Sequence, residues 1–264
     1  ACSRYDNLRR DVRTDTEGLD GVRIRRRIVF GHDARGEGEG QADGVREDGV
    51  ARSGEPAAGP SRASRGRVAI NRSFLVNTYY PLYAHFFAAL GYEICLPERP
   101  DPRGVDQCGA PFCYPAELAH GFFKTLLESQ NPPDYIFLPH FKAVHNEDGS
   151  GSPQSQVCPL AQGETFYLRA TFGRQIDRLC RNGTRLLTPL VDLSGGIVAA
   201  EEALVEAAQR MGIGRREARE AFSFALARQR DCFARMRDAG RQMLSALEAD
   251  PERIGVALLS RPYS

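Results

Sequence analysis

Two cysteines of this chain share a setting that a core thiol does not need. Cys113 lies in GAPFCYPAELAHG and Cys158 in QVCPLAQGE, each in a loop with a proline just after it and a helix-like pattern beyond. Free N–H groups and the positive end of a helix dipole favour a thiolate at such a position. Cys108 adds a C-x4-C spacing to Cys113. Thiolates of this kind do redox chemistry or bind soft metals, and zinc and iron–sulfur clusters are the natural occupants. A structural zinc site would show tight C-x2-C knuckles, and none is present. Single cysteines dispersed over loops fit a cluster held in a cleft. A 4Fe–4S cluster takes four cysteines, and these loops offer two or three. The rival reading is zinc on Cys113 and Cys158 joined by His120, His140 or His145. The remaining cysteines read as bystanders: Cys95 in the core strand YEICLPE, Cys180 and Cys232 as helix packing residues, and Cys2 in an N-terminal tail.

Strands alternate with helices in the segments that must position these loops. VAINRSFLV reads as a buried strand, and YYPLYAHFFAALG as a helix with Leu82, His85, Phe86 and Leu90 on one face and Gly91 as its stop. YEICLPE is a second strand. In PAELAHGFFKTLLESQ, Ala119, Phe122, Phe123, Leu126 and Leu127 form an apolar stripe, with Pro115 at the first helical position. DYIFLPHF reads as one strand from Asp134 to Phe141, followed by the loop KAVHNEDGSGSPQSQV. GETFYLRATFGRQIDRLC is helical, RLLTPLVDL a strand, and two helices and a final strand, GVALLSRPY, follow. The alternation implies a doubly wound, mainly parallel α/β sheet of flavodoxin-like architecture, with its site outside the carboxyl ends of the strands.

The 264 residues suffice for one large or two small domains, and 42% apolar residues supply a core. A net charge of +1 provides no basic field for nucleic acid. No apolar run approaches a membrane span, and the first residues lack a signal peptide. Seven cysteines, an odd count, point to a reducing compartment, hence the cytoplasm. Residues 33–67 contain no Leu, Ile or aromatic residue and read as a flexible linker, after an unplaced N-terminal segment, 1–32. Residues 68–264 form the α/β domain. The chain lacks a starting Met and stops inside a strand-like segment, as expected of a piece of a longer polypeptide.

INRSFLVNTYYPLYAHFFAALGYEICLP, QCGAPFCYPAELAHGFFKTLL, PDYIFLPHFKAV and VCPLAQGETFYL resemble the domain of the CoA enzyme activase family, proteins related to 2-hydroxyacyl-CoA dehydratase activases. That domain is similar to the cluster-bearing subunits of 2-hydroxyacyl-CoA dehydratases and benzoyl-CoA reductases. The resemblance covers about residues 67–264 and rests on Cys-x-Pro-x4-His-Gly followed by Cys-Pro-x-x-Gln-Gly. It implies flavodoxin-like subdomains and a 4Fe–4S cluster on loop cysteines, here Cys113 and Cys158, with Cys108 a weaker candidate. His120, His140 and Gln162 become candidates for tuning the cluster from beside it. Phe112, Tyr114, Phe141 and the run Tyr135–Leu138 become candidates for a dry lining. The implied activity is transfer of a low-potential electron to an acyl-CoA thioester carbonyl, allowing loss of a hydroxyl group. The implied partners are an activase ATPase module, in cis or in trans, and an acyl-CoA substrate. The long members of the family carry such an ATPase. This chain has no G-x-x-x-x-G-K-[ST], and LSGGIVAAEE reads as a helix entry, so ATPase activity is not expected of it. Two other readings stand beside this one: a non-catalytic docking domain for the ATPase, and a zinc-binding α/β domain.

Overall fold

The computed structural model of the chain describes residues 19–31, 50–52, 64–109, 113–145, 155–250 and 254–257. Four strands run parallel in one sheet: β2 (Arg67–Ile70), β3 (Glu93–Pro97), β4 (Tyr135–Phe137) and β6 (Arg185–Leu187). β1 (Val50–Arg52) adds antiparallel beside β3, giving the order β1-β3-β2-β4-β6. β1 falls within the segment read as a linker. It pairs through its backbone, which asks no apolar side chain of that sequence.

Both faces of the sheet are covered, which is why its strands are almost continuously apolar. Val68, Ile70, Ile94, Leu96, Phe137 and Leu187 join one core with helix α2 (Val76–Ala89). The alternate residues Ala69, Cys95, Ile136 and Leu138 join a second core. Helices α4 (Tyr114–Leu127) and α6 (Glu164–Arg181) close that second face through Phe123, Leu126, Leu168, Phe172 and Ile176. The period-two split of each strand between two helix layers is the doubly wound α/β arrangement expected from the alternation. Between these helices come two single turns, α3 (Pro102–Val105) and α5 (Pro159–Gln162). α4 starts at Tyr114, which places Pro115 second in the helix rather than first.

The two segments expected as single strands each break in two at a proline. DYIFLPHF divides into β4 and β5 (His140–Ala143), and RLLTPLVDL into β6 and β7 (Leu190–Asp192). β5 and β7 form a separate two-stranded parallel sheet. Lys142 and Ala143, expected in a loop, therefore lie in a strand. Leu138 N–H donates to the Leu187 carbonyl and His140 N–H to the Pro189 carbonyl, both at 2.9 Å. The next donor, to the Leu138 carbonyl, would be the N–H of residue 189, which proline lacks. The Thr165 hydroxyl donates to that carbonyl instead, at 3.2 Å.

A third proline organises the other face. Pro81 sits inside α2, where the backbone kinks at Tyr79. Gln229, fully buried on the long helix α8 (Arg215–Glu248), bridges the opened turn. Its amide accepts from Leu82 N–H at 3.0 Å and donates to the Thr78 carbonyl at 3.1 Å. Arg25, on helix α1 (Gly21–Phe30), donates to the Asn77 carbonyl, which Pro81 cannot serve, at 3.4 Å. α1 begins at Asp20, whose carboxylate accepts from Val22 and Arg23 N–H, and ends at Gly31 with φ 69°. Its charged composition hid the helix in the sequence, yet Val29 and Phe30 are buried. α7 (Glu201–Arg210) completes the layer that contains α8. Of the expected final strand, Gly255–Ala257 have no regular structure, with Val256 exposed. Residues 258–264 lie outside the described residues.

Candidate functional site

β2 lies between β3 and β4, so the chain leaves it towards one side of the sheet and later returns on the other. In such sheets a crevice opens at the carboxyl ends of the strands where the direction changes. Asn71 and Ser73 follow β2 directly and are buried. Cys108 comes after β3 on the α3 turn, its N–H bonded to the Val105 carbonyl at 3.1 Å. Cys113 is the N-cap of α4 and Cys158 the N-cap of α5, and neither makes a side-chain capping bond. The α3 turn lies tightly on α4. A Cβ on Gly104 would come within 2.8 Å of the His120 carbonyl, and one on Gly121 within 2.7 Å of the Pro100 side chain. The glycine after His120 is therefore a packing requirement that brings the Cys108 segment onto α4.

Tyr167, which the sequence reading did not single out, packs half-buried against the same core as Cys108 and Cys113. Burial pushes that phenol far above the usual tyrosine range, with the Glu164 carboxyl and the three cysteines adding to the effect. The Tyr167 oxygen is buried and has no hydrogen-bond partner among the described residues. Its ring stacks on His120, with centroids 5.0 Å apart and planes 9° from parallel.

Behind Tyr167 lies Glu164, 1% exposed. The Asn71 amide donates to its carboxyl at 2.8 Å and to the Ala119 carbonyl at 3.3 Å. Burial raises the Glu164 pKa to about 7, against the opposing pull of the Ser73 and Asn71 side chains, which favour the carboxylate. His120 donates from Nδ1 to the Ala116 carbonyl at 2.8 Å, and its Nε2 lies 3.5 Å from the Thr171 hydroxyl. Burial lowers its pKa. It supports the Tyr167 ring. Gln162 donates to the Val157 carbonyl at 2.7 Å and so ties down the loop that carries Cys158.

Residues 67–264 match the family described as the CoA enzyme activase uncharacterised domain, DUF2229. The chain belongs to that family. No curated protein and no solved structure matches it. The match places this activase-type domain among the components of acyl-CoA enzyme systems, and it begins at the residue that opens β2.

The other predicted residues of the activase-type domain are spread more widely. His140 packs its ring on the exposed Phe166, centroids 4.9 Å apart, at the lip of β5. His145 bonds the Ser194 carbonyl at 3.0 Å. Phe141 is buried, whereas Tyr114 is 65% exposed and lines no dry interior. Phe112 lies outside the described residues. Cys95 and Cys232 are buried as expected, but Cys180 is exposed near the end of α6 and packs no core. None of the six described cysteines is in a disulfide, and Cys2 lies outside the described residues. Among the described residues, no group of three or more His, Cys, Asp or Glu side chains is disposed to hold a metal ion, and no helix is long and apolar enough to cross a membrane. Sequence reasoning missed Asn71, Ser73, Glu164 and Tyr167. Only the position of Glu164 and Tyr167 just after the Cys-Pro-x-x-Gln-Gly motif could have drawn attention to them.

Proposed function

We propose that this domain carries an iron–sulfur cluster, of the 4Fe–4S type, and serves an ATP-driven low-potential electron-transfer system acting on acyl-CoA thioesters. The reaction class is that of the 2-hydroxyacyl-CoA dehydratases or related reductases. One observation carries the reading: Cys113 and Cys158 each cap the start of a helix without a side-chain capping bond, in loops that follow strands of the sheet. The donors suit the group, because iron–sulfur clusters are held by cysteine thiolates. Cys113 and Cys158 would hold it, with Cys108 as a third ligand and the fourth from elsewhere. The cluster would supply one-electron transfer at low potential.

The chain's own residues prepare the site. Gln162 fixes the Cys158 loop, and His120 holds the Tyr167 ring in its plane. The buried Leu138 and Phe141 keep water from the strand ends. The partners in this reading are an activase ATPase module, in cis or in trans, and an acyl-CoA, in the cytoplasm.

A second reading has its own support. No metal-holding group converges among the described residues, which favours a docking domain for the ATPase. Zinc on Cys113, Cys158 and a histidine has less support. The other ring nitrogen of His120, Nε2, lies 3.5 Å from the Thr171 hydroxyl, and its ring face is covered by Tyr167.

Iron and acid-labile sulfide measured on protein purified without oxygen separate these readings. Several irons per chain with matching sulfide are expected, and both should disappear in Cys113→Ala with Cys158→Ala. Colourless protein free of iron would leave the docking domain, and zinc in place of iron would select the third reading.

A further inference from the structure

Arg72 follows β2 at the carboxyl ends of the strands, and aromatic rings rather than a carboxylate hold it there. Its guanidinium carbon lies 4.6 Å from the centre of the Phe30 ring and 5.5 Å from that of Phe122, and both rings are buried. One of its nitrogens donates to the carbonyl of Glu98, the residue after β3, at 3.4 Å. Among the described residues no carboxylate comes within ion-pair distance of it, and its other N–H groups reach solvent. Flanking rings fix the plane of a guanidinium and leave its edge of donors free. A second arginine stands near it. Residues four apart share a helix face, so the exposed Arg26 lies one turn before Phe30 on the face of α1 that meets Arg72. Burial and then the charge of Arg26 lower the Arg72 pKa, outweighing the opposing pull of Glu98. Two cations so placed repel each other until an anion comes between them.

We infer that Arg72 and Arg26 form a phosphate-binding site at the carboxyl ends of β2 and β3. A phosphate monoester carries close to two negative charges and takes bidentate bonds from arginine, so it matches two guanidinium groups better than a carboxylate does. Phe122 stands nine residues along α4 from Cys113, about 14 Å at the helical rise, so the site is separate from the cysteine loops. Resting on the reading of this domain as an acyl-CoA component, the phosphate is that of the CoA thioester. A nucleotide offers the same chemistry.

Calorimetric titration of the full chain at low salt with coenzyme A, dephospho-coenzyme A, ADP and inorganic phosphate tests it. Saturable binding is expected. Arg26→Gln, an exposed position that does not endanger the fold, should weaken it about tenfold, the size of a hydrogen bond to a charged group. Arg72→Gln and Arg72→Lys should weaken it at least as much, because lysine has neither the fork nor the planar stack. Arg216→Gln removes the same charge from a side chain 93% exposed on α8 and should leave binding unchanged.

Coenzyme A binding more tightly than the other three probes assigns the site to the CoA monoester. ADP binding as tightly as coenzyme A keeps the phosphate site and assigns it to a nucleotide. No saturable binding of any probe would overturn the inference, as would unchanged binding in Arg26→Gln or an equal loss in Arg216→Gln. Iron content is read separately. An iron-free protein that binds coenzyme A in this way loses the cluster and keeps the site, and an iron-loaded protein that binds no probe does the reverse.

Discussion

Glu164 opens α6 with its carboxyl in the interior, where a glutamate at a helix N-terminus usually reaches solvent. Burial raises its pKa from the ordinary value of 4.5 to about 7. An acid whose pKa rises on folding stabilises the folded state in its protonated form. That contribution is full below the ordinary value and is lost as pH rises through about 7. The parent should therefore lose about 3 kcal/mol relative to Glu164→Gln across this window. Urea denaturation of both proteins at about pH 5 and about pH 8 measures it. A stability difference that is the same at both pH values would show that the carboxyl is not held as a neutral acid. Among the site residues, Cys113 and Cys158 were legible from sequence because their signal is local: a loop, a proline, then a helical pattern. Glu164 carried no such signal, since an acidic residue in a first helical turn is ordinary.

At the scale of the element, prolines decide more than the apolar pattern does. Pro81 opens a turn of α2, and Gln229 closes it from α8 with two hydrogen bonds. Gln229→Leu keeps the volume and strips both bonds from buried backbone groups. It should cost about 3 kcal/mol of stability. Adding Pro81→Ala should recover part of that loss, because the helix can then close its own turn. Urea denaturation of the two single variants and the double variant checks the coupling, and purely additive costs would refute it.

Pro139 and Pro189 act in the same way on the strands. The runs around them read as single strands because their apolar character continues past the proline. The backbone donor missing at residue 189 is visible in the sequence. That Thr165 replaces it at the Leu138 carbonyl is not, because α6 reaches that point only after the chain has folded back.

At the scale of the whole molecule, α1 is part of the core although it lies outside the residues matched to the family. Phe30 is 6% exposed, meets the Tyr80 ring at a tilt with centroids 5.1 Å apart and lies 4.6 Å from the Arg72 guanidinium. Phe122 takes the other contact to Arg72, at 5.5 Å. Phe30→Ala should therefore destabilise the entire domain by about 3 kcal/mol and expose the arginines of α1 to trypsin. Unchanged stability together with unchanged proteolysis would show that α1 is only loosely held.

The sequence by itself determined the α/β class, the two-sided burial of the strands, the stop at Gly91 and the two loop cysteines. Each of these rests on periodicity, a glycine or a proline acting within a few residues. The tertiary structure alone decided that Tyr167 stacks on His120, that a glutamate is buried against Asn71, and that a glutamine mends a helix distant in sequence. Strand order sets those meetings. Side chains far apart along the chain become neighbours only when β2 is placed between β3 and β4, and burial shifts a carboxyl's pKa only once that packing has removed the water.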